Sequence, residues 1–379
     1  MVRVAAGEAE INESYLEHIG LCLACRGCET ACPSGVPYGR LVEAARAEIE
    51  GRTHRPWLQG RLRRYVFRKL LPSRFRLEVA GSLLYLYQAS GLQRLTRVLG
   101  FLPRRLRDVE SLAPEIEVPF FFRYYGKTLP AEGARRYRVA FLGGCVANIS
   151  FAWLNEASVR VLRKNGCEVS IPAAQNCCGA LHVHAGRREE ARELARRNID
   201  ALLAEDFDAI ITNAAGCGST LKEYAELLEH DLEYGEKARR FSGLVQDINE
   251  WLAGIELRPG MRALPVTVTY QDSCHLAHGQ KIRSAPRVLL ESVPGLQLRE
   301  MTLSDLCCGS AGIYNVVHTE MALALLQKKM AAVNATGAAV IATANPGCML
   351  QLRAGVKRWG KGQRVAHVVE VLDEAYGGE

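Results

Sequence analysis

NCCGALHVHAGR at residues 176–187 and LCCGSAGIYNVVH at residues 306–318 are two versions of one motif, set about 130 residues apart. The same interval relates Cys145 to Cys274, and it relates Cys217 in AIITNAAGCGSTL (209–221) to Cys348 in AVIATANPGCMLQL (339–352). A fixed period with matched anchors is an internal repeat, so the chain builds one unit twice. Short apolar runs alternate with helical patterns in each unit. The first has strands over 138–142, 168–171 and 209–212 and helices over 152–164 and 187–203; the second has strands over 266–270, 296–299 and 339–342 and helices near 286–292 and 319–334. That alternation predicts parallel βαβ units, whose ligands gather beyond the carboxyl ends of the strands.

Working outward, the N-terminal segment carries Cys22-x2-Cys25-x2-Cys28-x3-Cys32-Pro33, the spacing of a bacterial ferredoxin run for a 4Fe-4S cluster, followed by a helix from about Tyr38 to Glu50. Residues 52–107 hold fourteen Arg or Lys against the single acid Glu78, interleaved with aromatic residues. The whole chain is only +7, so positive charge is concentrated there and the remainder is slightly acidic. This segment reads as a basic helical connector, either a solvated face or a docking surface for anionic lipid or an acidic subunit. Prolines at 114, 119 and 130 then predict an extended linker over 111–134. The expected organisation is a ferredoxin-like segment over 1–50, connector and linker over 51–134, and repeat domains over 135–255 and 256–379. The expected fold class is α/β: a small helical ferredoxin-like 4Fe-4S domain followed by two tandem, pseudo-twofold-related α/β domains with parallel sheets.

Of the 379 residues, 48% are hydrophobic and 23% charged, a composition that excludes disordered, collagenous and coiled-coil chains. The longest uncharged apolar stretch, 79–93, falls short of the roughly 20 residues of a spanning helix. The opening MVRVAAGEAEINE has acids where a secretory signal has its apolar centre, which predicts a cytosolic, reducing location. Thirteen cysteines in that compartment point to metal ligands rather than disulfides.

Each repeat offers four thiols: Cys145, Cys177, Cys178 and Cys217, then Cys274, Cys307, Cys308 and Cys348. Adjacent cysteines reach different irons of a cluster more readily than a single zinc, and Gly179 and Gly309 let backbone approach the metal closely. Zinc is the rival occupant, in a binding module without redox chemistry. In two-cluster ferredoxins the fourth cysteine of a run serves the other cluster, so of the four candidate ligands Cys22, Cys25 and Cys28 form the local set and Cys32 is the ligand of a second cluster, whose own run the sequence does not show. Cys167 lacks a counterpart and reads as a core thiol. His182, His184, His275 and His278, beside these motifs, read either as core histidines or as groups that tune a cluster. Gly143-Gly144 is not followed by a complete G-x-G-x-x-G, and no flavin, nicotinamide or P-loop motif is found.

The segments CLACRGCETACPSGVPY, GCVANIS, QNCCGALHVHAGR, NAAGCGSTLKEYAELL, DSCHLAHGQK, LCCGSAGIYNVVH and TANPGCMLQLRAG resemble the iron-sulfur subunits of bacterial glycolate oxidase, within the cysteine-rich CCG-domain group. The resemblance spans nearly the whole chain. It implies an oxidoreductase subunit that takes electrons from a partner flavoprotein oxidising a 2-hydroxy acid at FAD and passes them toward membrane quinone. It also implies a hetero-oligomer, peripheral on the inner face of the cytoplasmic membrane, with no nucleic-acid partner. Related subunits serve lactate and glycerol-3-phosphate dehydrogenases, and heterodisulfide reductase carries CCG domains with thiol chemistry of their own. Two departures stand out. MVRVAAGEAEIN resembles the tail of the helix joining two ferredoxin runs, which predicts a start upstream of Met1 or a truncated gene. Thr220 and Gln351 occupy positions that are cysteine in heterodisulfide-reductase-type domains, which favours electron transfer over disulfide cleavage.

Overall fold

The computed structural model describes residues 1–53, 56–100, 103, 110 and 113–378. Two sheets organise it. The first has the order β1-β3-β2-β4-β5, with β1 at Lys127–Leu129, β2 at Tyr137–Phe141, β3 at Cys167–Ile171, β4 at Ala209–Thr212 and β5 at Val245–Asp247. The second has the order β7-β6-β8-β9, with β6 at Thr267–Tyr270, β7 at Gln297–Leu298, β8 at Val340–Thr343 and β9 at Arg364–His367. All pairings are parallel except β1 with β3. Central strands such as β4 and β8 are buried along their whole length, which is why they read as continuous apolar runs rather than alternating ones.

The six expected strands and four expected helices form close to their expected positions. Each sheet also gains a parallel edge strand, β5 or β9, that the sequence pattern does not reveal: three or four residues are too short to show a period, and pairing with β4 or β8 makes them strands. The expected extended linker over 111–134 is corrected too. It contains a 3-10 turn at Phe121–Tyr124 and β1, whose residues Lys127 to Leu129 pair with Ile171 to Val169. Phe121 is fully buried in the first domain's core, so this stretch is part of the domain rather than a tether.

The two domains pack through equivalent elements around an approximate twofold. The helix Ala152–Lys164 of the first packs on Val368–Ala375 of the second, and Ile248–Gly254 of the first packs on Ala285–Glu291 of the second. Both C-terminal helices start with the same device. Asp247 and His367 accept hydrogen bonds from the amides of Asn249 and Val369, while Glu250 and Glu370 reach back to the cap amides. Arg160 joins Asp373 across the interface at 2.6 Å, and one continuous apolar core runs through both sheets.

The basic segment is helical as expected, in Trp57–Tyr65 with a wider π-type turn through Val66–Leu70, then Arg74–Ala89 and Leu92–Leu99. Its expected extension through 104–107 lies outside the described residues. The N-terminal segment forms Glu13–Leu21, Gly27–Ala31 and Tyr38–Arg52. Gly186, at φ +77°, permits this last helix to dock on the first domain: a Cβ there would stand 2.3 Å from the Arg46 carbonyl oxygen.

Candidate cluster-binding sites

Sheet order explains why cysteines distant in sequence meet. β3, β2 and β4 are neighbours, and Cys177-Cys178, Cys145 and Cys217 follow their carboxyl ends; β7, β6 and β8 place Cys307-Cys308, Cys274 and Cys348 in the same way. Cys217 and Cys348 occupy the first turns of the helices Ala215–Lys222 and Pro346–Trp359. Gly179 and Gly309 sit at φ +85° and +91°. At Gly309 a Cβ would lie 2.5 Å from the Ala322 carbonyl oxygen, so only glycine fits.

Each set is a row of sulfurs in which neighbours shift one another's titration. In the first, Cys145 meets Cys177, Cys177 meets Cys178, and Cys178 meets Cys217. The contact with Cys177, together with burial, holds the Cys145 thiol well above the usual range. At Cys177 and Cys178 the preceding sulfur favours the thiolate, but the following sulfur and burial outweigh it, and both are raised. The second row differs. Hydrogen bonds from Cys274 and Cys308 lower Cys307 well below the usual range, and those from Cys308 and Asn345 lower Cys348 against the effect of burial. Cys274 and Cys308 are correspondingly raised. The Gly309 amide donates to the Cys307 sulfur at 3.4 Å and the Asn345 side-chain amide to Cys348 at 3.5 Å.

A fully buried cation adjoins this second row. Lys329, on the helix Thr319–Thr336, donates to the carbonyls of Leu303 (2.5 Å) and Ser304 (3.0 Å). Burial lowers its pKa, and the charges of Cys308, Cys348 and Cys307 oppose that shift. No motif in the sequence singles it out. A signal is nevertheless present, since Ala322, Leu326, Met330 and Val333 mark the helix's buried face and Lys329 lies on it. The corresponding helix of the first domain places the neutral Asn198 beside its row, bonded to the Asn176 amide and the Cys177 carbonyl.

The N-terminal loop is wedged between the domains. Arg26, at the left-handed φ of 63°, forms ion pairs with Glu29 and with Glu223 of the first domain. Ala24, also left-handed, receives a hydrogen bond from His275 Nε2 through its carbonyl at 3.2 Å, and Thr30 Oγ1 bonds His278 Nδ1 at 2.8 Å. Arg46 joins the Cys22 and His184 carbonyls at 2.5 and 3.2 Å. Cys25 thereby comes within electrostatic reach of Cys22, Cys28, Cys307 and Cys274. At Cys32 the amides of Val36, Ser34 and Gly35 act on the sulfur and lower its pKa. Cys167 is a buried thiol at the head of β3, its pKa pushed up to about 11 by burial. Of the four histidines, His184 and His275 stack on each other, His278 joins the loop, and His182 bonds the Phe67 carbonyl of the connector at 2.8 Å.

Among the described residues, no group of three or more His, Cys, Asp or Glu side chains is arranged to hold a metal ion. The donor chemistry does suit an iron-sulfur cluster. Each row offers four soft thiols with glycine-opened backbone beside them.

Sequence comparison accords with these features. Residues 139–222 and 268–353 each match the family described as "Cysteine-rich domain", and residues 58–113 match "Glycolate oxidase iron-sulfur subunit, linker region". The chain is 42% identical, over its full length and 86% of the relative, to the "Probable glycolate oxidase iron-sulfur subunit" of Bacillus subtilis (strain 168). It is 32% identical to the "Glycolate oxidase iron-sulfur subunit" of Escherichia coli (strain K12), over 97% of this chain and 84% of that one. "Lactate utilization protein A 2" of Bacillus mycoides (strain KBAB4) is 29% identical over 62% of this chain and 98% of its own length. With its doubled cysteine-rich domain, its linker and this full-length similarity, the chain belongs to the glycolate oxidase iron-sulfur subunit family.

Proposed function

We propose that the chain is the electron-transfer subunit of a glycolate oxidase complex, with substrate oxidation at FAD on a partner subunit and electrons passed on toward membrane quinone. The observation that supports this reading is that a loop clamped by both domains brings Cys25 within electrostatic reach of Cys274 and Cys307 of the second row. Cys22, Cys25 and Cys28 would hold a 4Fe-4S cluster, and the two four-thiol rows would hold further iron-sulfur clusters. Bound there, such clusters supply one-electron acceptance and release.

The chain's own residues do the rest. Arg26 and Arg46 pin the loop, Gly309 and Asn345 donate to sulfur, and Lys329 offsets negative charge at the second row. Buried Thr220 and Gln351 in place of further cysteines argue against five-thiol sites and disulfide cleavage.

The test is iron and sulfide content with electron paramagnetic resonance after reduction, on protein purified without oxygen. Two or three clusters per chain, together with loss of electron delivery in Cys308→Ser while the flavoprotein still reduces a dye, support the reading. Zinc without sulfide, or unchanged quinone-linked activity in Cys178→Ser and Cys308→Ser, would overturn it.

A further inference from the structure

Half of the exposed large apolar side chains among the described residues lie between Trp57 and Leu99. They are ordered by helix geometry. On Arg74–Ala89, Leu77 and Gly81 face the first domain, where a Cβ on Gly81 would be 3.0 Å from Phe120. Phe75, Leu83 and Leu86, at helical spacing on the outward side, are 72%, 62% and 59% exposed. Leu92–Leu99 repeats the pattern, with Leu95 and Val98 at 52% and 78% exposure, and buries none of its residues; neither does Trp57–Tyr65. A short helix draws most of its stability from packing an apolar face, so helices that bury none of their own residues among those described offer that face to a surface from outside.

The charge around these stripes identifies that surface. Between 57 and 99 there are nine Arg or Lys and one acid, Glu78, which Arg74 engages at 3.0 Å. Arg61 lies over the exposed Trp57 ring at 4.8 Å, and Arg94 and Arg97 alternate with the apolar positions of the third helix. Among the described residues no helix is long and apolar enough to cross a membrane. Apolar stripes flanked by guanidinium groups on short helices that do not span fit the plane of an anionic bilayer, where the stripe enters the acyl boundary and the cations meet lipid phosphate.

We propose that the three helices between Trp57 and Leu99 are the docking surface of this protein for an anionic lipid bilayer, with Phe75, Leu83, Leu95 and Val98 inserted and Trp57 at the headgroup level. The inference deepens the membrane-directed part of the function proposed above and rests on that part only.

The experiment is co-flotation of the full, cluster-loaded chain with vesicles of phosphatidylcholine alone or with about 30 mol% phosphatidylglycerol, at low and high salt. The expected result is binding to the anionic vesicles only, weakened by salt and at least tenfold weaker in Leu83→Glu/Val98→Glu. Trp153→Ser, an exposed aromatic outside the patch, binds as the parent does. Circular dichroism and iron content confirm that the double variant is folded. No binding to anionic vesicles at low salt, or equal binding by the double variant, overturns the proposal. So does a double variant that still binds vesicles but no longer copurifies with the flavoprotein, which would make the face a protein interface. Reduction of the chain by the flavoprotein in lipid-free solution tests the electron-relay reading separately, so either can fail alone.

Discussion

The imidazoles of His184 and His275 are stacked, with ring centroids 5.0 Å apart and 18° between their planes. His184 follows the first CCG motif and His275 follows Cys274, so this contact joins the two thiol rows' loops across the domain interface. Glu43 of the N-terminal segment approaches His184 Nδ1 at 3.5 Å, and His275 Nε2 reaches Ala24. Three separate cysteine loops therefore converge on one pair of rings.

His275→Leu removes both the stack and the hydrogen bond to the Ala24 carbonyl, a loss of about 1 kcal/mol from that bond. The expected outcome is a loosened N-terminal loop with both domains intact. Hydrogen exchange at residues 22–28 should quicken severalfold while β2, β4, β6 and β8 keep their protection. Unchanged exchange in the loop would refute the clamp.

Lys329→Met removes a buried cation beside the second row and leaves the Leu303 and Ser304 carbonyls without their donor, at a cost of about 1–3 kcal/mol. A negatively charged cluster at that row would lose a favourable neighbour, and its reduction potential should fall by an amount on the order of tens of mV. A redox titration followed by electron paramagnetic resonance decides this, and a potential unchanged or raised counts against the role given to Lys329.

The amides of Val36, Ser34 and Gly35 act on the Cys32 sulfur, whereas Cys25 is within electrostatic reach of Cys22 and Cys28. Iron bound per chain should therefore fall by about one cluster in Cys25→Ser and stay unchanged in Cys32→Ser. Equal losses in the two variants would show that Cys32 is a ligand.

The equivalent caps Asp247 and His367 make opposite pH dependences. Burial raises the Asp247 carboxyl to about 6, so the native state binds its proton more tightly than the unfolded chain, and that stability is lost as pH rises from about 4 to 6. Burial lowers His367 to about 4, so the unfolded chain takes the proton first, and stability is lost as pH falls from about 6.5 to 4. Each is a slope of a few kcal/mol across its window. Asn can accept the same cap hydrogen bond. Chemical denaturation at pH 4.5 and 7 should show Asp247→Asn gaining relative stability at the higher pH and His367→Asn at the lower. Parallel shifts in both variants would rule out this assignment.

Much of this architecture is legible in the residues themselves. The repeat of CCG and GC motifs at one interval announces two like domains, and the continuous apolar runs of β4 and β8 announce parallel strands, because buried central strands have no polar face to alternate with. The N-terminal cysteines stand out as candidate ligands by their spacing on one loop and the two sets of four by the repeat interval, but only sheet order brings Cys145, Cys177-Cys178 and Cys217, or their counterparts, to one end of a sheet. Local pattern does not extend to β5 and β9, which exist through pairing with β4 and β8, nor to β1, which an apparently extended linker supplies. Nor does it show that Cys25 comes within electrostatic reach of Cys307, that His184 meets His275, or that Lys329 comes within electrostatic reach of Cys307, Cys308 and Cys348. Those relationships join residues far apart in the chain through the order of strands in two sheets and the packing of one domain on the other, and periodicity along a chain carries no record of either.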